Sequence, residues 1–183
     1  MILDAQNRPD NSGKNRGSTP LSFNLASLLK IFAAPLALFA IALSLRIGTL
    51  IVVPFDGLYG QDAYEYLKYA REVWAFLAAG EGLRGPYYWP LGYPALAAPF
   101  IGLSGGQAFG AQIVSLLAGS AVAPMAYAIC RELLRDDSDA SRRARLLAGL
   151  SLAASGQLWQ SSLVVMADAT AVFLATLSLW ALL

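Results

Sequence analysis

The stretch IFAAPLALFAIALSLRIGTLIVV, residues 31–53, decides the class of fold. Its one charged residue is Arg46. At a rise of about 1.5 Å per helical residue, the stretch crosses a hydrocarbon layer of about 30 Å with some tilt. Pro35 falls in the first turns, where a missing N–H costs least. Residues 31–53 therefore predict a transmembrane helix, with Arg46 reaching toward the interface at its far end.

The composition of the whole chain also indicates a membrane protein. Of the 183 residues, 57% are hydrophobic and 14% are charged, against about 45–50% and about 25% in soluble domains. The chain has no histidine and a single cysteine, Cys130. This excludes an internal disulfide, Ser-His-Asp and Cys-His nucleophile systems, and metal sites that need imidazole. We predict an all-α, polytopic membrane protein.

Three further apolar segments complete about four predicted spans: 107–130, 146–165 and 168–183. In the first of them, small residues repeat every four positions and form a face for close helix packing. These residues are Ala111, Ser115, Gly119 and Ala123. The last segment is shorter than the roughly 20 residues of a full span. We therefore expect the sequence to be the front part of a longer membrane protein.

Residues 54–106 are too rich in charge to be a span. Within them, segment 62–79 has a helical pattern, with apolar residues recurring on one face. These are Ala63, Leu67, Ala70, Trp74 and Leu77. Lys68 and Glu72 pair at i,i+4 on another face. We predict an amphipathic helix at the membrane surface. The aromatic stretch YYWPLGYP, 87–94, follows, either as an interfacial belt or as a surface for stacking sugars.

The distribution of basic residues predicts the orientation in the inner (plasma) membrane. Residues 1–30 are polar and predict a disordered tail. The loop 131–145 carries five arginines. The positive-inside rule places both on the cytoplasmic side. Loop 54–106 and the turn before residue 168 then share the extracytoplasmic side. Asp62 and Asp168, distant in sequence, are thus predicted to lie at the same face.

Asp62 and Asp168 are the candidate catalytic residues, because a carboxylate at the membrane surface can act as a general base. Each has a structural alternative, which spacing alone favours. Asp62 and Glu65 have the spacing of a capping box, and Asp168 can cap the helix that it begins. The run DDSD, residues 136–139, contains an Asp-x-Asp motif. In an arginine-rich loop it is better explained as a solvated charge run than as a metal site.

Three segments, in this order, resemble the start of the GT-C membrane glycosyltransferases. They are GQDAYEYLKYAREVW at 60–74, WPLGYPALAAPF at 89–100 and MADATAVFLATLSLW at 166–180. The resemblance is to bacterial relatives of protein O-mannosyltransferases and aminoarabinose transferases, in glycosyltransferase family 39 and its kin, and it covers residues 31–183. Ala63 stands where many members have a second acid, which argues against a paired-acid metal site. Leu91 stands where a proline is common.

The resemblance implies transfer of a sugar from a polyprenyl-phosphate donor to an acceptor glycan, lipid or protein on the extracytoplasmic side. It matches Asp62 to the catalytic acid of the family's first extracytoplasmic loop and Asp168 to a second acid near the active site. The candidate substrate-binding residues are Arg46, Tyr66, Arg84 and Tyr93, with Lys68 and Arg71 as further cations for the lipid phosphate. No organic cofactor is implied, and a divalent metal is left open.

Two other classes of protein stay open. Polar spans and the intramembrane Arg46 would suit a transporter component, although no internal repeat of the transporter kind is visible. The chain would also suit a noncatalytic, truncated membrane protein. The reading frame beyond Leu183 separates that alternative from an enzyme, and we expect the 183 residues alone to be inactive. No phosphate-cradling glycine loop and no nucleic-acid patch is present in the sequence.

Overall fold

The structure, a computed structural model, describes the backbone of residues 25–183 and the side chains of residues 32–183. Over this range the chain is all-α, as predicted, with seven helices and no strand. The helices are α1 (Leu25–Val52), α2 (Gly60–Ala79), α3 (Gly92–Leu103), α4 (Ala108–Leu133), α5 (Asp139–Ala153), α6 (Gly156–Leu163) and α7 (Asp168–Ala181). Residues 1–24 of the predicted tail lie outside the described residues, and residues 25–30 belong to α1.

Two helices are long and apolar enough to cross a membrane. They are Phe32–Val52, with a mean hydropathy of 2.0, and Ala108–Leu133, with a mean hydropathy of 1.9. The helices Gly92–Leu103 and Asp168–Ala181 are apolar but shorter. Only 17% of the apolar 18-residue stretch within Phe32–Val52 is buried. This helix therefore presents most of its apolar side chains to the surroundings instead of to the rest of the chain.

Helix α4 is the centre of the fold and packs against α1, α3, α5, α6 and α7. Its small residues permit this close packing. A Cβ added at Gly119 would lie 2.8 Å from the Cβ of Ser162 and 3.4 Å from the Cβ of Ala169. A Cβ added at Gly149, on α5, would lie 3.1 Å from the carbonyl oxygen of Ala123. The predicted close helix approach at Gly119 is confirmed.

The segment predicted as a span over 146–165 is not one continuous helix, because α5 ends at Ala153 and α6 begins only at Gly156. The interruption is stabilised from α1. The guanidinium of Arg46 donates hydrogen bonds to the carbonyls of Ala42 (2.9 Å) and Ala153 (3.3 Å). The last carbonyls of a helix lack intrahelical partners and attract cations. Beyond the break, the indole of Trp159 donates to the Thr49 hydroxyl at 3.1 Å.

The predicted amphipathic helix is confirmed as α2, which begins two residues earlier than predicted. Its buried face differs in part from the predicted stripe, because Trp74 and Leu77 are exposed. The buried residues are Ala63, Tyr66, Leu67, Tyr69, Ala70 and Val73. The tyrosines complete this face because their rings are apolar and their hydroxyls form the polar tip. Helix α2 packs on α3, which in turn packs on α4.

Charged and polar groups of the loop between α4 and α5 bond to one another. We call residues 134–145 the arginine loop; they comprise the connection between the two helices and the first turns of α5. Arg145 is buried and donates to the carbonyls of Leu134 and Asp136, and to the Asp137 carboxylate at 3.4 Å. Ser138 caps α5 by accepting a hydrogen bond from the Ser141 amide at 3.2 Å. Hydrogen bonds from Ser138 and Ser141 lower the pKa of Asp136.

Candidate functional site

The segments that precede Asp62 and Asp168 meet at one end of the helix bundle. The amide of Val165 donates to the carbonyl of Gly57 at 2.8 Å. Gly57 has a φ of +83°, and an added Cβ would lie 2.9 Å from a methyl carbon of Val165. Glycine suits this position because it accepts positive φ and leaves room for the neighbouring chain. We call this end, with residues 55–62 and 163–168, the acid end.

Buried polar groups of α3 and α4 hold the acid end together. Gln112 donates to the carbonyls of Phe55 (3.3 Å) and Leu163 (2.6 Å). Ser115 donates to the carbonyl of Met166 at 3.2 Å. The Tyr93 hydroxyl lies 2.9 Å from the Ser115 hydroxyl. Helix α4 therefore fixes both acid-bearing segments by neutral hydrogen bonds.

Asp62 lies in the first turn of α2 and not at its cap. The N-cap is Tyr59, and no side chain makes a capping hydrogen bond there. The carboxylate of Asp62 takes part in no ion pair within the described part of the chain. It lines a cleft of about 510 Å³ with Gln61, Glu65, Tyr88 and Trp89. The predicted capping box is therefore not formed, and the carboxylate opens on a cleft.

Asp168 is exposed and is the first residue of α7. The N-cap is Ala167, again without a side-chain capping hydrogen bond. The capping alternative for Asp168 is wrong in the same way as for Asp62. Both acids nevertheless lie where the partial positive charge of a helix N-terminus stabilises a carboxylate.

Tyr66 connects the two acids. Its ring is buried and contacts Tyr93 edge-on, with the centroids 5.3 Å apart. Burial raises the pKa of Tyr66, and the negative charges of Asp168 and Asp62 raise it further. Asp62 and Tyr66 lie about one turn apart on α2, and Asp168 follows the segment that is hydrogen-bonded to Gly57. The three groups therefore lie at the same end of the bundle.

Tyr93 packs inside the bundle and takes part in its hydrogen bonds. It is buried, and its hydroxyl donates to the carbonyl of Ala111 at 2.9 Å. Burial raises the pKa of Tyr93 well above its ordinary value, although the hydrogen bond with Ser115 opposes this. The hydroxyl therefore stays a neutral donor. The expected direct contact of Tyr93 with substrate is not supported by this arrangement.

None of the four predicted cations is among the residues that line the cleft. Arg46 is fully buried and therefore does not snorkel to an interface, and its expected role in binding substrate stays a prediction. Arg84 is exposed and pairs with Glu81 at 3.3 Å. Arg71 donates twice to the carbonyl of Gly106. Lys68 pairs with Glu65 at 3.5 Å, and not with Glu72 as predicted.

Aromatic residues of the loop before α3 form one wall of the cleft. The Tyr87 hydroxyl donates to Glu72 at 2.8 Å, and its ring meets Tyr69 edge-on at 4.8 Å. The Tyr69 hydroxyl accepts a hydrogen bond from the Tyr88 amide at 3.3 Å. Burial raises the pKa of Tyr87, and the bond to Glu72 adds to this. These contacts bring Tyr88 and Trp89 beside Asp62, in the lining of the cleft.

Sequence reasoning missed Gly57 and Gln112 as residues of the site, and counted Ser115 only as a small packing residue. A signal for Gln112 was present, because a polar amide within an apolar helix is costly unless it is hydrogen-bonded. Gln112 and Ser115 are three residues apart and therefore share a helix face. Among the described residues, no three His, Cys, Asp or Glu side chains form a group suited to a metal ion.

No protein family, curated protein or solved structure matches this chain. The properties that bear on function are therefore those of the acid end itself. It has two carboxylates that make no capping hydrogen bond, a buried phenol whose pKa both carboxylates raise, and an aromatic cleft beside Asp62.

Proposed function

We propose that the protein is a membrane glycosyltransferase of the GT-C type. It transfers a sugar from a polyprenyl-phosphate donor to an acceptor hydroxyl at the acid end. The observation that carries this proposal is that neither acid is used in a capping hydrogen bond. Asp62 and Asp168 follow hydrogen-bonded segments, neither makes a capping bond, and Asp62 opens on the cleft with Trp89.

Asp62 is the general base in this proposal. Its carboxylate takes the proton of the acceptor hydroxyl while the hydroxyl oxygen attacks the anomeric carbon of the donor. The bond from that carbon to the phosphate oxygen breaks, and polyprenyl phosphate leaves with the bonding electrons. Asp168 supplies negative charge near the anomeric carbon, which becomes positive in an oxocarbenium-like transition state.

The cleft has the size and chemistry for a sugar. Its volume of about 510 Å³ falls within the roughly 300–1,000 Å³ of small-molecule sites. Trp89 and Tyr88 offer ring faces for the apolar C–H side of a sugar. Asp62 and Glu65 offer carboxylate oxygens that accept hydrogen bonds from sugar hydroxyls.

An apolar groove supports a lipid-linked donor. The groove has a volume of about 460 Å³ and includes Thr170, two residues after Asp168. Leu96, Phe100, Leu117 and Phe173 are among its lining residues. A hydrocarbon chain in this groove would have its phosphate end near the acids.

We further propose a polytopic arrangement in the inner membrane. In it α1 and α4 each cross the bilayer, α5 with α6 forms an interrupted crossing, and α7 begins another. The exposed apolar face of α1 supports this arrangement, because water would disfavour it. With the arginine loop on the cytoplasmic side, the acid end faces the extracytoplasmic side.

A transfer assay tests the proposal. The chain is expressed in its native reading frame, and membranes are supplied with a panel of radiolabelled polyprenyl-phosphate sugars. Asp62→Asn should lower the transfer rate by about 10²–10⁴-fold, as expected for a lost general base. Asp56→Asn is the matched control, because Asp56 is exposed and does not line the cleft. No transfer with any donor, or near-normal transfer by Asp62→Asn, would contradict the proposal.

A further inference from the structure

Gln112 contacts both acid-bearing segments at once. Its side chain is 1% exposed, and Nε2 donates to the carbonyls of Phe55 and Leu163. Phe55 belongs to the segment that leads into α2 and Asp62. Leu163 ends α6, immediately before the bends that lead to Asp168. One side chain of α4 thus links two segments that are distant in sequence.

The apolar stem of Gln112 lies against the first of these segments, at Gly57. A Cβ added at Gly57 would lie 3.2 Å from both Cγ and Cδ of Gln112 and 2.9 Å from Val165. The direct hydrogen bond from Val165 to Gly57 runs beside this contact. The stem therefore packs beside the point where the two segments touch, and the amide bonds to a carbonyl of each segment.

We infer that Gln112 is a positioning residue, whose amide and stem hold the acid-bearing segments of Asp62 and Asp168 at one fixed separation. The effect of Gln112 on catalysis rests on the proposed function. Its effect on the distance between the two segments does not.

The chemistry of an amide explains why glutamine fits this role. Its NH₂ group has two donors, and the structure presents two carbonyl acceptors. A lysine at this position would bring a charge that is costly to bury. A glutamate carboxylate would place acceptor oxygens against carbonyl oxygens, so that no hydrogen bond could form. Methionine has a similar length without a donor, so Gln112→Met keeps the stem and removes only the hydrogen bonds.

Spin-label distances test the inference without any assay of activity. Cys130 is first replaced by alanine. Cysteines for the labels are then introduced at Tyr59, within the first segment, and at Ala171, just after the second; both positions are exposed. The parent should give one narrow distance distribution. Gln112→Met should shift and broaden this distribution. The matched control is Gln107→Met, because Gln107 is exposed on the same helix end and its side chain makes no capping bond.

Ser115→Ala provides a second variant in case Gln112→Met does not fold. It removes the hydrogen bond to the carbonyl of Met166, on the Asp168 side, and the contact with the Tyr93 hydroxyl, which keeps its bond to the carbonyl of Ala111. Because only one acid-bearing segment loses a bond, the distribution should broaden less. If the folded Gln112→Met keeps the parent distribution, the inference is overturned. If Gln112→Met does not fold and Ser115→Ala keeps the parent distribution, it is likewise overturned.

A kinetic measurement separates this inference from the proposed function. If transfer is detected, Gln112→Met should lower kcat by about 10²-fold, the effect of roughly 1 Å of misplacement, with the donor KM unchanged. A changed donor KM with an unchanged kcat would contradict the positioning role. A changed distance distribution without transfer by the parent would support the positioning of the segments and contradict the proposed function.

Discussion

The acid end and the arginine loop are both polar parts of a mostly apolar protein, but they use their charges differently. In the arginine loop, charged groups bond to the loop itself. Arg145 holds two carbonyls and Asp137, and Asp136 accepts from the Ser141 hydroxyl. At the acid end, neutral groups such as Gln112 and Ser115 hold the structure, and Asp62 and Asp168 make no capping bonds.

This difference indicates which charges are free for chemistry. A carboxylate that accepts hydrogen bonds from its own loop has a structural task, and losing it affects stability. A carboxylate whose surroundings are fixed by other residues can accept a proton or a ligand without loss of the fold. On this basis the acids of the acid end, and not the DDSD run, are the candidates for catalysis.

The largest expected effect contrasts one aspartate from each region. Asp168→Asn should lower sugar transfer by about 10²-fold, since a charge placed for the transition state is lost. Asp137→Asn should leave transfer unchanged, because this carboxylate lies in the arginine loop and is exposed. Transfer rates in membranes, corrected for the amount of protein, measure both. Equal losses in the two variants would remove the contrast between the regions.

A second prediction concerns the stability of the arginine loop. Arg145→Met should lower the free energy of unfolding by about 1–3 kcal/mol, because the carbonyls of Leu134 and Asp136 lose the charged donor that the buried Arg145 supplies. The pair with Asp137 adds little, since that carboxylate is exposed. Denaturant titration in detergent measures the change. The control is Arg142→Met, at an exposed position of the same helix, and an equal loss there would contradict the prediction.

A third prediction contrasts two glycines at the acid end. Gly57→Ala should lower the free energy of unfolding by about 1–3 kcal/mol more than Gly60→Ala. Both residues have positive φ, so both substitutions carry backbone strain. Only at Gly57 does the added Cβ meet Val165 and Gln112, while nothing lies within 4 Å at Gly60. Thermal unfolding of the two variants gives the difference. Equal stability would mean that the two segments are not closely packed at Gly57.

The smallest expected effect is on the ionisation of Tyr66. Asp168→Asn should lower the raised pKa of Tyr66 toward its ordinary value, because removing a negative charge makes phenolate formation easier. Asp62→Asn should lower it less, since Asp168 is the larger cause of the two. Titration of ¹³C-labelled tyrosine by NMR measures this, with Tyr66→Phe to assign the signal. An unchanged pKa of Tyr66 in both variants would mean that neither carboxylate affects the ionisation of Tyr66.

The sequence alone predicted the all-α class, α2 and the close packing at Gly119, because these depend on local patterns. Hydropathy and helical periodicity are properties of neighbouring residues, and a small-residue face is visible within one helix. It also predicted that Asp62 and Asp168 lie at one face, from the distribution of basic residues, although the membrane orientation behind that prediction stays a prediction.

Only the tertiary structure decided the break after Ala153, the burial of Arg46 and the role of Gln112. Each depends on a hydrogen bond between residues distant in sequence, such as Arg46 with Ala153 or Gln112 with Phe55 and Leu163. Local patterns show that a buried polar group needs a partner, but not which carbonyl it finds. That choice is made when the helices pack, and it is what frees the two acids from structural hydrogen bonds.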